Sequence, residues 1–274
     1  MPVLIMLLMT ASIPCPEGAQ HRLAEGGPRR TMEFCEARHA HGVDRTGPFR
    51  LRLHSGVLLE EGSYVENARH GAWRGFFESG AIQSERTYDH GKRHGPFRLY
   101  FENGQVALEG AHLQDRPEGV WRTFSPQGSL QSVARFRDGE LHGESLFYLQ
   151  TGTLTQRATY QQGELHGLFE SFHDDGKPRA AGVFLAGRRH GPWRFFHENG
   201  RLYASGSYAH GVQEGEWHAF HSNGKRFSRG RYELGLRVGP WMTWTRGGRV
   251  DTIEDETRPG FHQPLLPLMD LQHC

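Results

Sequence analysis

Apolar and polar positions recur along this chain with a step of 24 residues. Glycines mark the step without a slip at Gly47, Gly71, Gly95, Gly119, Gly143, Gly167, Gly191, Gly215 and Gly239, and a second glycine lies nine positions after each, from Gly56 to Gly248. A fixed period of this length is the mark of a repeat architecture. Two positions after the first glycine stands a large ring: Phe49, Trp73, Phe97, Trp121, Phe169, Trp193, Trp217 or Trp241. Three positions further stands another, such as Phe76, Tyr100, Phe172, Phe196, Phe220 or Trp244. A turn signal follows, Glu-Asn-Gly at 102–104 and 198–200 and Ser-Asn-Gly at 222–224. Asn-Gly between two such runs predicts a tight hairpin turn with positive φ at both central residues. The chain then alternates from an aliphatic (Leu58, Ile82, Val106, Leu202) through a small residue to a ring (Tyr64, Tyr88, Phe184, Tyr208), the period of a strand with one buried face. Each unit reads as one β-hairpin.

Two details sharpen this reading. The small position is Gly62, Gly110, Ala134, Ala158, Gly182, Gly206 or Gly230. Glycine weakens a strand, so its repeated use implies that a ring from the neighbouring strand needs the space. The connection to the next hairpin carries a third glycine, from Gly91 to Gly235, replaced twice by Asn67 and Asp115. Asn and Asp are among the few other residues that tolerate left-handed backbone, so positive φ is expected there. The rings two and five positions after the first glycine differ in strand parity, which a bulge or two-sided packing must reconcile. The expected fold is all-β: an elongated repeat array of about nine 24-residue hairpins, some eighteen strands in one long antiparallel meander sheet.

The ends depart from the period. Residues 1–14 form an apolar leader, too short to span a bilayer, that fits the core of a signal peptide but lacks its usual basic start. Residues 15–46 hold Cys15 and Cys35 in a non-repetitive stretch, consistent with an N-terminal cap closed by a Cys15–Cys35 disulfide; two unrelated thiols in a reducing compartment are the other reading. The array occupies 47–250. Residues 251–274, with Pro259, Pro264 and Pro267, read as a C-terminal cap or tail, and the apolar Leu265–Leu271 segment is expected to cover the last strand edge. Cys274 is the odd thiol.

Composition removes several function classes. A net charge of +1 gives no electrostatic case for nucleic acid or for an acidic membrane surface. No nucleophile elbow, zinc-protease helix, paired-cysteine motif, dinucleotide fingerprint or phosphate loop occurs, so no catalytic residue and no cofactor are expected. The 18 histidines mostly occupy repeat slots. Equivalent residues of successive hairpins sit two strands apart, roughly 9–10 Å, whereas zinc needs donors about 2 Å from one point. Such ladders do not build a metal centre, and none is expected. The rings Trp73, Phe97, Trp121, Phe169, Trp193, Trp217 and Trp241 are expected in the core.

The pattern H-G-x-W-x-x-[FY]-x-x-x-G followed by [LIV]-x-x-x-G-x-Y-x-x-G resembles the MORN-type repeat, and is most similar to the variant found in bacterial YwqK-family antitoxins. The resemblance covers about Gly47 to Val250. It implies an extended, curved antiparallel sheet of hairpins, and either a scaffold that binds another protein or an antitoxin that neutralises a toxin by binding it. The Cys-Pro-x-Gly start and the second cysteine resemble exported members. The expectation is therefore a non-catalytic protein-binding scaffold of the periplasm, outer envelope or exterior, with a toxin or envelope component as partner. The alternative is a cytoplasmic antitoxin. A fold of this kind does not identify its partner.

Overall fold

The computed structural model describes residues 12–255. The fold is all-β, an open antiparallel sheet with twenty-one strands among the described residues. Two of them, Ala19–Glu25 and Arg30–His39, lie outside the predicted hairpins, and one predicted strand is split at His142 into Glu140–Leu141 and Gly143–Tyr148. The leader up to residue 11, the tail from residue 256, the Leu265–Leu271 segment and Cys274 lie outside the described residues. The chain divides into two units at Glu140/Leu141.

In the first unit Cys15 and Cys35 are joined in a disulfide, with Cα atoms 5.6 Å apart. Ile13, at the end of the apolar run, is buried, and its N–H donates to Glu33. The strands Ala19–Glu25 and Arg30–His39 pair with each other, and Arg30–His39 pairs with the first array strand, Gly42–Leu53. From there each strand pairs with the next along the chain as far as Leu130–Arg137. A core of Phe34, Phe49 and Trp73 is joined by Tyr64 and Tyr88. The second unit meanders in the same way through Val250–Asp255. Its core runs through Phe169, Trp193, Phe195, Tyr208, Trp217, Tyr232 and Trp241.

The interaction that builds both cores is the one expected at the small position. A Cβ placed on Gly62 would lie 2.2 Å from the Trp73 ring, and on Gly206 2.2 Å from Trp217. Gly110 stands in the same relation to Trp121, Gly182 to Trp193 and Gly230 to Trp241. Each indole lies against the bare backbone of the strand before it, and the indole N–H of Trp73, Trp193 and Trp217 donates to a carbonyl of that strand at 3.1 Å. The ladder shifts register at this point, between Glu61 and Ser63 or between Ser205 and Ser207, so the Gly-x-Trp turn of the chain is a bulge. Tyr64, Tyr208 and Tyr232 then meet Trp73, Trp217 and Trp241 edge-on with centroids 5.0–5.1 Å apart. The Arg69, Arg189 and Arg237 guanidinium groups stand 4.1–4.8 Å over Trp73, Trp193 and Trp241. Burial opposes the charge of Arg69, but Glu60 and the Tyr88 and Tyr64 hydroxyls outweigh it and hold its pKa above the ordinary value.

Ring and small residue are matched inside this one chain. Every tryptophan in the ring slot follows a glycine eleven positions earlier, whereas Phe97 and Phe169 follow Arg86 and Ala158. Where a Cβ is present the smaller ring is used. Phe97, with Arg86 beside it, is only half-buried, and so is Trp121. The parity question resolves as two-sided packing. Trp193 and Phe195 share the buried face, and the ring at the fifth position, Phe196, falls on the other.

One of the two connections differs from the sequence expectation. At Glu102–Gly104, Glu198–Gly200 and Ser222–Gly224 only the glycine has positive φ, so these are three-residue loops with a bulged glycine and not two-residue turns. The paired positive φ lies at the other connection, as in His90 (43°) and Gly91 (87°) or His210 (50°) and Gly211 (93°). Asn67 and Asp115 have φ of 65° and 69° there, as expected of the third-glycine slot. Their side chains also accept the N–H of Arg45 and Arg93 in the neighbouring hairpin.

The packing makes a compensating pair testable. Gly206→Ala forces its Cβ into Trp217 and should destabilise by about 1–3 kcal/mol, the cost of overpacking. Adding Trp217→Phe recreates the Ala158–Phe169 arrangement. In chemical denaturation the double variant should be more stable than the two single effects sum to, by about 0.5–3 kcal/mol; strict additivity would mean that the ring does not rest on the glycine.

Candidate interaction surface

The face opposite the tryptophans differs between the two units. In the first, one column of directly opposed residues runs Arg50, Glu61, Arg74, Glu85, Arg98, Glu109, Arg122. Charge alternates at every strand from Arg50 to Arg122, beyond which Val133 opposes Arg122. Arg74 lies 3.8 Å from Glu61 and 3.6 Å from Glu85, and Glu109 lies 3.7 Å from Arg98 and 3.1 Å from Arg122. Exposed pairs contribute little individually, but opposite charges across each ladder step avoid the repulsion of like pairs. Each charge in this column has its counter-charge within the fold.

In the second unit the same column reads Arg157, Glu170, Ala181, Arg194, Ser205, His218, Arg229, Met242. Arg157 meets Glu170 at 3.0 Å, and Arg229 turns to Glu216 at 2.7 Å, holding that carboxyl below its usual pKa. Arg194 is exposed, with Ala181 and Ser205 as its neighbours in the column. Strand alternation places Leu168, Glu170 and Phe172 on this face, and Pro192, Arg194 and Phe196 beside them. Leu168 is 67% exposed.

This face ends at the three-residue loops in two adjoining depressions of about 340 and 540 Å³ that share His173 and Glu198. Phe172, Asp174, Asp175 and Arg179 line the first, and Phe196, His197, Asn199, Tyr203 and Ser222 the second. Their spacing is rigidly set. The Nε2 atoms of His173, His197 and His221 meet the carbonyls of Phe196, Phe220 and Trp244 in the next hairpin at 3.3, 2.9 and 2.8 Å. Asn199 and Asn223 donate across the same gap to the Ser222 and Arg246 carbonyls. The His197 and Tyr203 rings meet edge-on at 5.0 Å. Burial raises the Tyr203 pKa. This histidine row bridges hairpins through hydrogen bonds.

Of the residues singled out in the sequence, Cys15 and Cys35 come together, and Trp73, Phe169, Trp193, Trp217 and Trp241 are buried. None of these rings lies on the exposed face. The charge column was missed, although arginine recurs three positions after the first glycine at Arg50, Arg74, Arg98 and Arg122, and glutamate recurs at Glu61, Glu85 and Glu109. Comparison with protein families shows that residues 69–90, 93–113, 141–162 and 189–210 match the MORN repeat variant. No curated protein matches the chain. The matched segments form a repeat scaffold of hairpins.

One histidine behaves differently. His112 takes the place of the repeat tyrosine and meets Trp121 and Phe97 edge-on at 5.0 and 5.1 Å. It is 6% exposed and its Nδ1 has no hydrogen bond. Burial, with Arg93 nearby, lowers its pKa. The folded state therefore holds fewer protons at this site than the unfolded chain, and stability is lost as pH falls through the ordinary histidine value of about 6.5. His112→Tyr restores the repeat residue and removes the titration. The midpoint of thermal unfolding should favour the variant increasingly from pH 7.5 to pH 5.5; a pH-independent difference between the two proteins would refute the assignment.

Proposed function

We propose that this chain is a non-catalytic repeat scaffold that binds another protein through the face of residues 141–255 opposite the tryptophans, and that it works in the periplasm, outer envelope or exterior of the cell. The observation that carries the reading is the break in the charge column at Ala181–Arg194–Ser205. The first unit satisfies its column internally, whereas here an exposed arginine stands beside Leu168 and half-buried rings. Aromatic residues and arginine are the groups enriched where proteins bind one another. The neighbouring depressions are lined by both acids and bases, which suits a polypeptide of mixed charge more than a nucleic acid. An oxidising compartment agrees with the Cys15–Cys35 disulfide.

Because Ile13 is buried and hydrogen-bonded to Glu33, export would require cleavage ahead of Ile13, at the small residues Ala11 and Ser12, and not at Cys15. Intact-mass analysis of fractionated cells without reductant should find an exported product that retains Ile13 and is lighter by two hydrogens. An uncleaved, reduced cytoplasmic product would refute the envelope assignment and leave the antitoxin reading. For the surface itself, a photo-crosslinking residue at Arg194 should yield discrete protein adducts in the native cell, and one at the equivalent Arg98 should not. Adducts at Arg98 alone, or at neither position, would sink the proposed face.

A further inference from the structure

In the first unit one cluster uses three different slots of a single hairpin. Gly71 pairs with Tyr88, so His70, just ahead of that glycine, reaches the residues that follow Tyr88. Those residues are Asp89 and His90, the latter in the positive-φ turn. One ligand atom from each of His70, Asp89 and His90 lies within 4.8 Å of the others. Nδ1 of His70 is 3.7 Å from Oδ1 of Asp89, and Nδ1 of His90 is 2.7 Å from the same oxygen. The two imidazoles meet edge-on with centroids 5.2 Å apart.

The spacing that rules out histidine ladders does not reach this trio, because its members are not equivalent positions of successive hairpins. Nδ1 of His70 is buried and makes no hydrogen bond. Of the cations beside the cluster, Arg69 is engaged with Glu60 at 3.0 Å and Arg93 with Asp115 at 3.1 Å, while Lys92, opposite Asp89 across the turn, is exposed. Two imidazoles and one carboxylate are a donor set suited to zinc and neighbouring divalent transition ions, with a fourth position left for water or another ligand. Small side-chain rotations bring the three atoms to bonding distance, and the ion displaces the proton shared by His90 and Asp89.

We infer that His70, Asp89 and His90 bind a divalent transition-metal ion of the zinc class. The ion fastens the two-residue turn to the outgoing strand of its own hairpin. The chain carries an internal control. His190 and His210 occupy the same two slots in the second unit, edge-on with centroids 5.8 Å apart, but the carboxylate position is Ala209.

The test uses the tag-free full-length protein, stripped with chelator and titrated with zinc chloride by calorimetry and with cobalt chloride by visible absorption. The wild type should take up one equivalent. His90→Ala, at an exposed turn where folding is not at stake, and Asp89→Ala should weaken binding by at least the roughly 10–100-fold seen when even an outer-shell partner is lost. Ala209→Asp should add a second equivalent. Absence of a stoichiometric ion in the wild type, wild-type binding by His90→Ala, or no second equivalent in Ala209→Asp overturns the inference. Circular dichroism of each variant confirms that it is folded.

Discussion

The structure depends on an indole lying flat against a glycine. Strands are the only regular elements among the described residues, so no helix covers the apolar side of a hairpin, and burial has to come from neighbouring strands. A glycine lets Trp193 or Trp217 lie down across the adjacent backbone, where the ring becomes almost wholly inaccessible. Burying a large side chain contributes about 1.5–3 kcal/mol, and edge-on ring pairs add about 0.5–1.5 kcal/mol each. Glycine's cost inside a strand, about 0.5–1 kcal/mol relative to alanine, is smaller than either gain. The bare backbone and the edge-on tyrosine that each ring needs both belong to the last strand of the preceding hairpin, as Gly62 and Tyr64 do for Trp73, so no hairpin completes its core alone.

Around that contact the hairpins are stitched at both ends. At the three-residue loops, histidine and asparagine side chains bond to carbonyls of the next hairpin. At the two-residue turns, the N–H of the second turn residue donates to a carbonyl of the preceding hairpin, as Gly91 does to Arg69 and Gly211 to Arg189. These bonds hold successive loops at a fixed spacing and give the candidate surface a preformed shape. Rigidity of this kind lowers the ordering cost of binding.

Much of this was legible in the sequence. The period, the hairpins, the left-handed third-glycine slot and the glycine-to-ring contact all follow from aligning the chain with itself. The turn types did not, because Asn-Gly serves equally in a two-residue turn and before a bulged glycine. The discriminating signal was present: the asparagine slot also holds Ser79, Gln127 and the β-branched Thr151, which would be strained at positive φ. The charge column was missed because opposed positions depend on register, which the bulge at each glycine shifts. The His70–Asp89–His90 cluster lay beyond reach for a related reason: the ladder argument compares one slot with itself, and proximity between different slots needs the pairing of Gly71 with Tyr88.

The matching of ring size to the residue beneath it has a further consequence. A chain of near-identical hairpins has little to stop one of them from docking further along, since the backbone hydrogen bonds and, within the first unit, the charge pairs of the column would find equivalent partners. Only the irregular units distinguish the correct neighbour. A strand carrying Arg86 accepts Phe97, but if it met the Trp121 strand the indole would land on a long cationic side chain. The departures from the repeat thus act as addresses, and a version of this protein made of perfect copies would lose the information that keeps its hairpins in sequence order.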